Sequence, residues 1–290
     1  MAAKLQQRVY VAQERRSIIG LLSGVYWLGA IREDLSDLGR YRHVLRNFVA
    51  TDLKVRYQRS VLGFLWTLLN PIMMMVVLAV VFSQLMRGAG VQNYTLYLFS
   101  GFIPWLFFHS AVVTGSASLL NNEFLIKKVR VPKFLFPLRC LLVALVNLLF
   151  EIVALCTLFA FLGARYQWQA ALLPAAIVLL ATFAMGVMLI TMSLVSRYRD
   201  FEHIIGVFLQ AWYFLTPILY TEDMVKDYAS VLRFNPLLYI VRIFHDTFYS
   251  YPAHWPEPAT WAAAVCVSLG TFLIGYGVYK RCEPSYVFWL

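Results

Sequence analysis

Charge is scarce in this chain and unevenly spread. Only 14% of its 290 residues are charged, against roughly a quarter in an ordinary soluble domain. Five stretches carry no charge at all: Ser60–Met86, Gly88–Asn122, Tyr166–Ser196, Ile204–Thr221 and Pro258–Tyr279. A sixth, Cys140–Ala164, is interrupted only by Glu151. A helix needs about 20 apolar residues to cross a bilayer, so a soluble globular fold is excluded and an all-α integral membrane protein with six transmembrane helices is expected. Ile204–Thr221 is the shortest run, short enough to end re-entrant. Gly88–Asn122 is too long for one upright helix and must contain a loop or a tilt.

Catalytic motifs are missing as well. Gly-x-x-x-x-Gly-Lys-[Ser/Thr] does not occur, so the chain has no phosphate-cradling loop of its own. Neither His-Glu-x-x-His nor Gly-x-Ser-x-Gly occurs, and no two carboxylates share a span. A membrane enzyme handling lipid phosphates needs several acids or a metal cluster near the interface. A stand-alone glycosyl or polyprenyl-phosphate enzyme is therefore disfavoured. The four cysteines, Cys140, Cys156, Cys266 and Cys282, show no Cys-x-x-Cys spacing, so neither a disulfide framework nor a metal site is expected.

The basic residues that are present fall on one side. Residues 1–59 hold 11 Lys and Arg, and Lys127–Arg139 hold 5, whereas the loops around Arg87 and Arg165 hold 1 each. Basic loops stay inside, which places both termini in the cytoplasm. The net charge of +10 then means attraction to anionic lipid head groups. Nucleic acid is a poor partner, because the cations flank spans. No cleavable signal peptide is expected. Ser17–Ile31 is too short to span, lies between Arg15–Arg16 and Arg32, and is followed by no Ala-x-Ala site; it reads as an interfacial helix.

The chain divides into a cytoplasmic N-terminal extension (1–39), an interfacial amphipathic helix (40–59), a six-span domain (60–282) and a cytoplasmic tail (283–290). On the amphipathic helix Tyr41, Val44, Leu45, Phe48, Val49 and Leu53 share one face, and Arg42, Arg46 and Lys54 the other. Such a helix lies in the membrane surface, as an anchor alone or also as a docking surface for a cytoplasmic partner. Between spans 2 and 3, Asn121–Pro132 holds Phe124, Leu125 and Ile126 beside Lys127, Lys128 and Arg130. It forms a brief amphipathic helix wedged between two spans, where pressure is passed to both. Arg197–Phe201 is a tight charged turn on the same side. Outside, Met224–Phe234 and Leu237–Tyr251, separated by Asn235-Pro236, form two short re-entrant helices between spans 5 and 6.

Two groups of side chains inside the spans invite a role. Glu151 is the one formal charge there, and such a residue is a functional candidate by default. It is either protonated and hydrogen-bonded to Asn147, Asn70 or His109, or part of a proton relay. His109 is either a packed polar histidine or a ligand. The aromatics Tyr94, Tyr97, Trp105 and Phe108, with Trp212, Tyr213, Phe214 and Tyr220, are either an interfacial belt or, for the deeper Trp105, Phe108 and Tyr213, the lining of a path suited to sugars.

Taken together, Asp52–Trp66 running into Asn70-Pro71, the Asn122–Pro132 segment and Asn235-Pro236-Leu237 resemble the permease subunit of type-2 ABC exporters, in the branch that exports polysaccharide. The resemblance covers residues 40–282. It implies a homodimer whose two copies bind two separate ATPase subunits, with ATP and Mg held on the partner and no cofactor on this chain. It implies that Asn122, Glu123, Lys127, Lys128 and Arg130, with Arg199 and Asp200, couple to the ATPase. The substrate it implies is a lipid-linked O-antigen or capsule-like polymer, drawn in by Arg56 and Arg59 and passed over Trp66, Trp105, Phe108 and Tyr213. Residues 1–35 are longer than the pattern requires. The alternative within the same fold is a permease for a small lipid or drug.

Overall fold

A computed structural model describes residues 24–58, 66, 69, 72–74, 76–78, 80–81, 94–129, 131–161, 168–222, 224–225, 229–248 and 257–290. Arg59, Arg130, residues 1–23 and most of the expected first span lie outside the described residues. Every regular element among those described is helical. In chain order the α-helices are α1 (Gly24–Arg40), α2 (Arg42–Tyr57), α3 (Tyr94–Ser116), α4 (Glu123–Lys128), α5 (Leu135–Phe161), α6 (Leu173–Arg197), α7 (Phe201–Leu215), α8 (Ala229–Leu232), α9 (Pro236–Phe248), α10 (Pro258–Cys282) and α11 (Tyr286–Trp289).

Helix α6 lies at the centre, packed against α10 and α3. Phe108 stacks on Phe183 at 5.4 Å and the Ser118 hydroxyl reaches Met192 Sδ at 3.4 Å, so α3 and α6 run parallel. The α6–α10 contact is made through glycines. A Cβ on Gly186 would stand 2.6 Å from the backbone of Thr271 and Phe272, and one on Gly275 would overlap the Gly186 carbonyl. Small residues let helix backbones approach closely where lipid supplies no hydrophobic drive. Helix α7 returns antiparallel, its Trp212 edge-on to Phe108 at 5.3 Å and to Phe183 at 6.3 Å.

Four described segments are long and apolar enough to span: Tyr94–Ser116, Leu135–Thr157, Trp168–Arg197 and Pro258–Trp289. The expected fifth span, Ile204–Thr221, stops at Leu215, giving a helix of 15 residues or about 22 Å, short of a ~30 Å hydrocarbon core. The cause is local. Pro217 drives Thr216 to an extended backbone, at φ −102° and ψ 131°. The described residues of the first expected span (66, 69, 72–74, 76–78, 80–81) are helical, and Trp66, Met73 and Val80 among them are exposed. The long second run resolves as foreseen into helix plus loop. Helix α3 ends at Ser116 and passes through a turn into a short 3-10 segment, Leu120–Asn122. The Asn122 amide donates to the Ser118 carbonyl at 2.7 Å, satisfying an oxygen that the helix end leaves open. Of the two helices expected outside, α8 has only 4 residues and α9 has 13, Pro236 standing at the first position of α9, where its missing N–H costs nothing.

Candidate functional site

Helix α4 is six residues long, Glu123-Phe124-Leu125-Ile126-Lys127-Lys128. Lys127 donates to Glu123 at 2.6 Å along one helical turn, and Arg199 approaches the other Glu123 oxygen at 3.6 Å. Helix α4 is thereby tied to the turn between α6 and α7. Exposed pairs of this kind add little stability, but they fix the relative placement of two short elements. The Lys127 hydrogen bond, with the charges of Lys127 and Arg199, holds the Glu123 carboxyl below its ordinary range. Lys128 sits 3.7 Å above the Phe124 ring, which is itself 71% exposed. Glu123 of α4 thus meets both Lys127 and Arg199, with Asn122 and Lys128 on the same short segment. Asp200 is exposed at the start of α7 and makes no side-chain cap. Arg130 lies outside the described residues.

The N-terminal helices brace this face. Phe48 of α2 stacks on Phe136 at 6.4 Å, and Arg139 pairs with Asp52 at 2.7 Å while lying 5.5 Å over Phe48. Helix α1 is latched to the end of α10. Asp34 accepts hydrogen bonds from Tyr276 at 2.7 Å and Lys280 at 2.8 Å. Lys280 also reaches Glu283 at 2.9 Å, and Lys133 donates to the Glu283 carbonyl at 2.6 Å. The Asp34 and Lys280 side chains are only 11% and 12% exposed. Sequence reasoning missed this latch, because Asp34 and Lys280 share no local spacing; the i,i+3 pair of Lys280 with Glu283 was its one visible sign. Between α2, α3, α5 and α7 lies an open cavity of about 610 Å³ whose polar lining includes Asp52, Thr114, Asn122, Arg139 and Glu202.

At the opposite end the extended stretch after α7 is held by aromatic hydroxyls. Tyr94 donates to the Leu219 carbonyl at 2.6 Å, and Tyr97 to those of Pro217 and Tyr220 at 3.1 and 2.8 Å. His245 of α9 stacks on Tyr97 at 4.2 Å and shares a hydrogen bond with Ser100 at 2.8 Å. Gly101 makes room for that ring; a Cβ there would stand 2.8 Å from it. Asn235 joins α7 to α9. Its oxygen accepts from Trp212 Nε1 at 2.8 Å and Leu237 N at 3.1 Å. Its amide donates to the Leu215 carbonyl at 3.2 Å and Thr216 Oγ1 at 2.9 Å.

The residues expected along the substrate path are placed differently from one another. Trp105 and Phe108 are 5% and 0% exposed, packed inside the subunit between α3, α6 and α7 rather than on a surface. They are buried because the ring of Tyr213 covers Trp105 at 5.3 Å and that of Trp212 covers Phe108. Tyr213 itself is half-buried. The aromatic side chains that α7 exposes are Phe208 and Phe214, each 58%, in a stripe with Ile204 and Val207; the i, i+3, i+4 spacing of these positions was the available signal. Trp66 is exposed, and Arg56 lies in the last turn of α2. His109 is half-buried 6.1 Å from Trp105. Glu151 and Asn147 lie one turn apart on α5, each with a buried oxygen that has no hydrogen-bond donor.

Comparison with known proteins decides what kind of molecule carries these surfaces. The model of the family described as ABC-2 type transporter matches residues 44–249. The chain belongs to that family. The permease is 30% identical over 236 residues to the O-antigen export system permease protein RfbA of Myxococcus xanthus, covering 80% of this chain and 90% of that protein. It is 29% identical over 202 residues to RfbA of Klebsiella pneumoniae, covering 68% and 76%. It is 23% identical over 239 residues to the polysialic acid transport protein KpsM of Escherichia coli, covering 81% and 91%. This chain is the membrane subunit of a transporter. The matched region takes in α4, α7 and α9 whole and begins inside α2, whereas α1, α10 and α11 lie beyond it.

Proposed function

We propose that this permease exports a lipid-linked polysaccharide, O-antigen or capsule-like, across the bacterial inner membrane, as a homodimer driven by two separate ATPase subunits. The carrying observation is α4, a short cationic helix locked by Glu123 to the α6–α7 turn on the basic side of the bundle. Leu125 and Ile126 pack it against the core, which leaves Phe124 and both lysines facing outward with no packing task of their own. It fits a seat on a cytoplasmic engine, and the chain has no nucleotide loop of its own. The names of the relatives, O-antigen export and polysialic acid transport, supply the substrate class.

In this reading ATP closes the partner dimer, the partner presses α4 and the adjoining turn, and α7 shifts against the central helices in both copies. The anionic lipid end is drawn to the basic mouth at Arg56 and Arg59. The glycan then slides over exposed rings, those of Trp66, Phe208 and Phe214, which stack on sugar C–H faces without holding one register. Tight binding would stall a polymer that must pass through many registers. Deleting the ATPase gene is expected to abolish surface polymer, and the purified permease alone in liposomes is expected neither to hydrolyse nucleotide nor to make product. Polymer that still reached the surface without any ATPase, or turnover by the permease alone, would overturn the reading.

A further inference from the structure

The two ends of α4 are held unequally. None of its residues is fully buried, Leu125 and Ile126 resting only partly buried on the core. Its first turn follows the exposed Asn121 and reaches the α6–α7 turn through Glu123 and Arg199, whose side chain is 67% exposed. Behind α4 the chain enters α5 through Lys133 and Phe134, and both are seated on the end of α10. Lys133 donates to the Glu283 carbonyl at 2.6 Å, its ammonium 5.8 Å over the Tyr286 ring. Phe134 is buried, edge-on to Tyr279 at 5.8 Å and to Tyr276 at 6.3 Å. The turn that carries these two side chains is itself closed, Leu135 N donating to the Pro132 carbonyl at 3.1 Å and Phe136 N to that of Lys133 at 3.3 Å.

The seat under Lys133 and Phe134 is stiff. The Glu283 carboxylate accepts from Tyr279 at 3.0 Å and Lys280 at 2.9 Å. Lys280 and Tyr276 in turn hold the two oxygens of Asp34 on α1, at 2.8 and 2.7 Å. Beyond the seat Tyr286 hooks onto α6, sharing a hydrogen bond with Ser193 at 2.6 Å, and further along α10 meets α6 through Gly275 and Gly186. Hydrogen bonds from an ammonium are among the stronger ones, and a satisfied polar network rigidifies what it joins. A partner pressing on Phe124, Lys127 and Lys128 therefore acts on a short element with a firm rear and a lightly held front. Coupling is carried by rigid elements joined through packed contacts. A rod held in this way turns about its rear, and its front takes the α6–α7 turn with it. With the rear loosened, the same push shifts the whole element and is lost as slip.

We infer that Lys133 and Phe134, seated on the end of α10 and braced by α1, form the fulcrum about which α4 turns, so that a push on α4 is delivered to α7. This rests on the transporter reading above. Lys133 is a positioning residue, acting through α4, and α1, outside the family match at 44–249, gains a task as the brace. The test uses full-length permease co-expressed with its tagged ATPase subunit in inverted membrane vesicles from the source bacterium. It reads polymer moved into the lumen per ATP hydrolysed, together with permease level and captured ATPase. Lys133→Met is expected to lower that ratio by about tenfold, the scale of one hydrogen bond to a charged group, with level and capture unchanged. Lys133→Arg is expected to restore most of it. Phe134→Leu, which fills the seat without the ring contacts, is expected to lower the ratio about fivefold. An unchanged ratio in Lys133→Met and Phe134→Leu, with or without a lower permease level, would make the seat structural only and overturn the fulcrum. So would loss of captured ATPase in Lys133→Met, or a Lys133→Arg ratio no better than that of Lys133→Met. Each of these outcomes leaves the transporter reading standing. An unaltered permease that couples no ATP hydrolysis to polymer movement would overturn both.

Discussion

Removing the Asn235 side chain tests how α9 is held to the end of α7. Asn235→Ala deletes four hydrogen bonds at once: two accepted, from Trp212 Nε1 and Leu237 N, and two donated, to the Leu215 carbonyl and Thr216 Oγ1. A net hydrogen bond contributes about 0.5–1.5 kcal/mol. The bonds to Trp212, Thr216 and Leu237 are partly buried and contribute about 0.8 kcal/mol each; the one to Leu215 is exposed and contributes about 0.5 kcal/mol. The expected loss is about 3 kcal/mol. With an unfolding entropy on the order of 0.6 kcal/mol/K for a chain of this size, Tm in detergent falls by about 5 °C. Asn235→Asp separates the two halves of the amide. It keeps both acceptor bonds but turns a carboxylate toward the Leu215 carbonyl and loses both donors, so it falls at least as far. Export falls with both variants, because α9 no longer follows the end of α7. A Tm unmoved by Asn235→Ala would refute the assignment of Asn235 as the joint.

The remaining expectations concern the coupling face, the path and the buried acid. Lys127→Glu with Lys128→Glu is expected to uncouple ATP hydrolysis from export while the permease still inserts; normal polymer at the cell surface would count against α4 as the seat. Phe208→Ser with Phe214→Ser is expected to slow export at an unchanged permease level. Trp105→Ala instead leaves a hole in a packed interior costing about 3–5 kcal/mol, seen as less folded permease in the membrane; the opposite pattern would restore Trp105 to the path. Glu151→Gln is expected to export normally if the side chain is structural, and loss of export at normal levels would favour a proton relay.

How much was legible before the structure follows from what each feature depends on. Spans 2, 3, 4 and 6 were readable because a bilayer demands a long charge-free run, and composition records such a run directly. The end of α7 was less so: the run continues to Thr221, but Pro217 sets the backbone of Thr216 regardless of hydrophobicity. The α4 surface was visible as a sequence-local cluster, Glu123 and Lys127 being one turn apart, and Arg199 joined it only through the fold. The Asp34 latch and the Tyr286 hook were invisible, since their partners are separated by 246 and 93 residues. The aromatic positions were readable only as a face, for a general reason. Ring residues at helical spacing mark one face of a helix, and nothing in that spacing says whether the face meets a channel or a neighbour; Trp105 and Phe108 meet α6 and α7.

The same packing argues which part of the bundle can respond to a push. Helices α6 and α10 touch through glycine backbones along a seam closed again at its basic end by Ser193 and Tyr286, so one cannot slide on the other without a steric cost. Packed interiors are stepwise, not continuously deformable. Helix α7 differs. It buries only Ile205 and Leu209 fully, it is too short to fill the bilayer, and its two ends are fixed to different things. The basic end follows the turn that Arg199 ties to α4; the outer end follows α9 through Asn235 and the extended stretch held by Tyr94 and Tyr97. A displacement of α4 therefore meets a stiff α6–α10 pair on one side and a lightly buried α7 on the other, and the work goes into the lightly buried element. Because α7 carries the exposed Phe208 and Phe214, the helix that yields is also the one that presents the aromatic face.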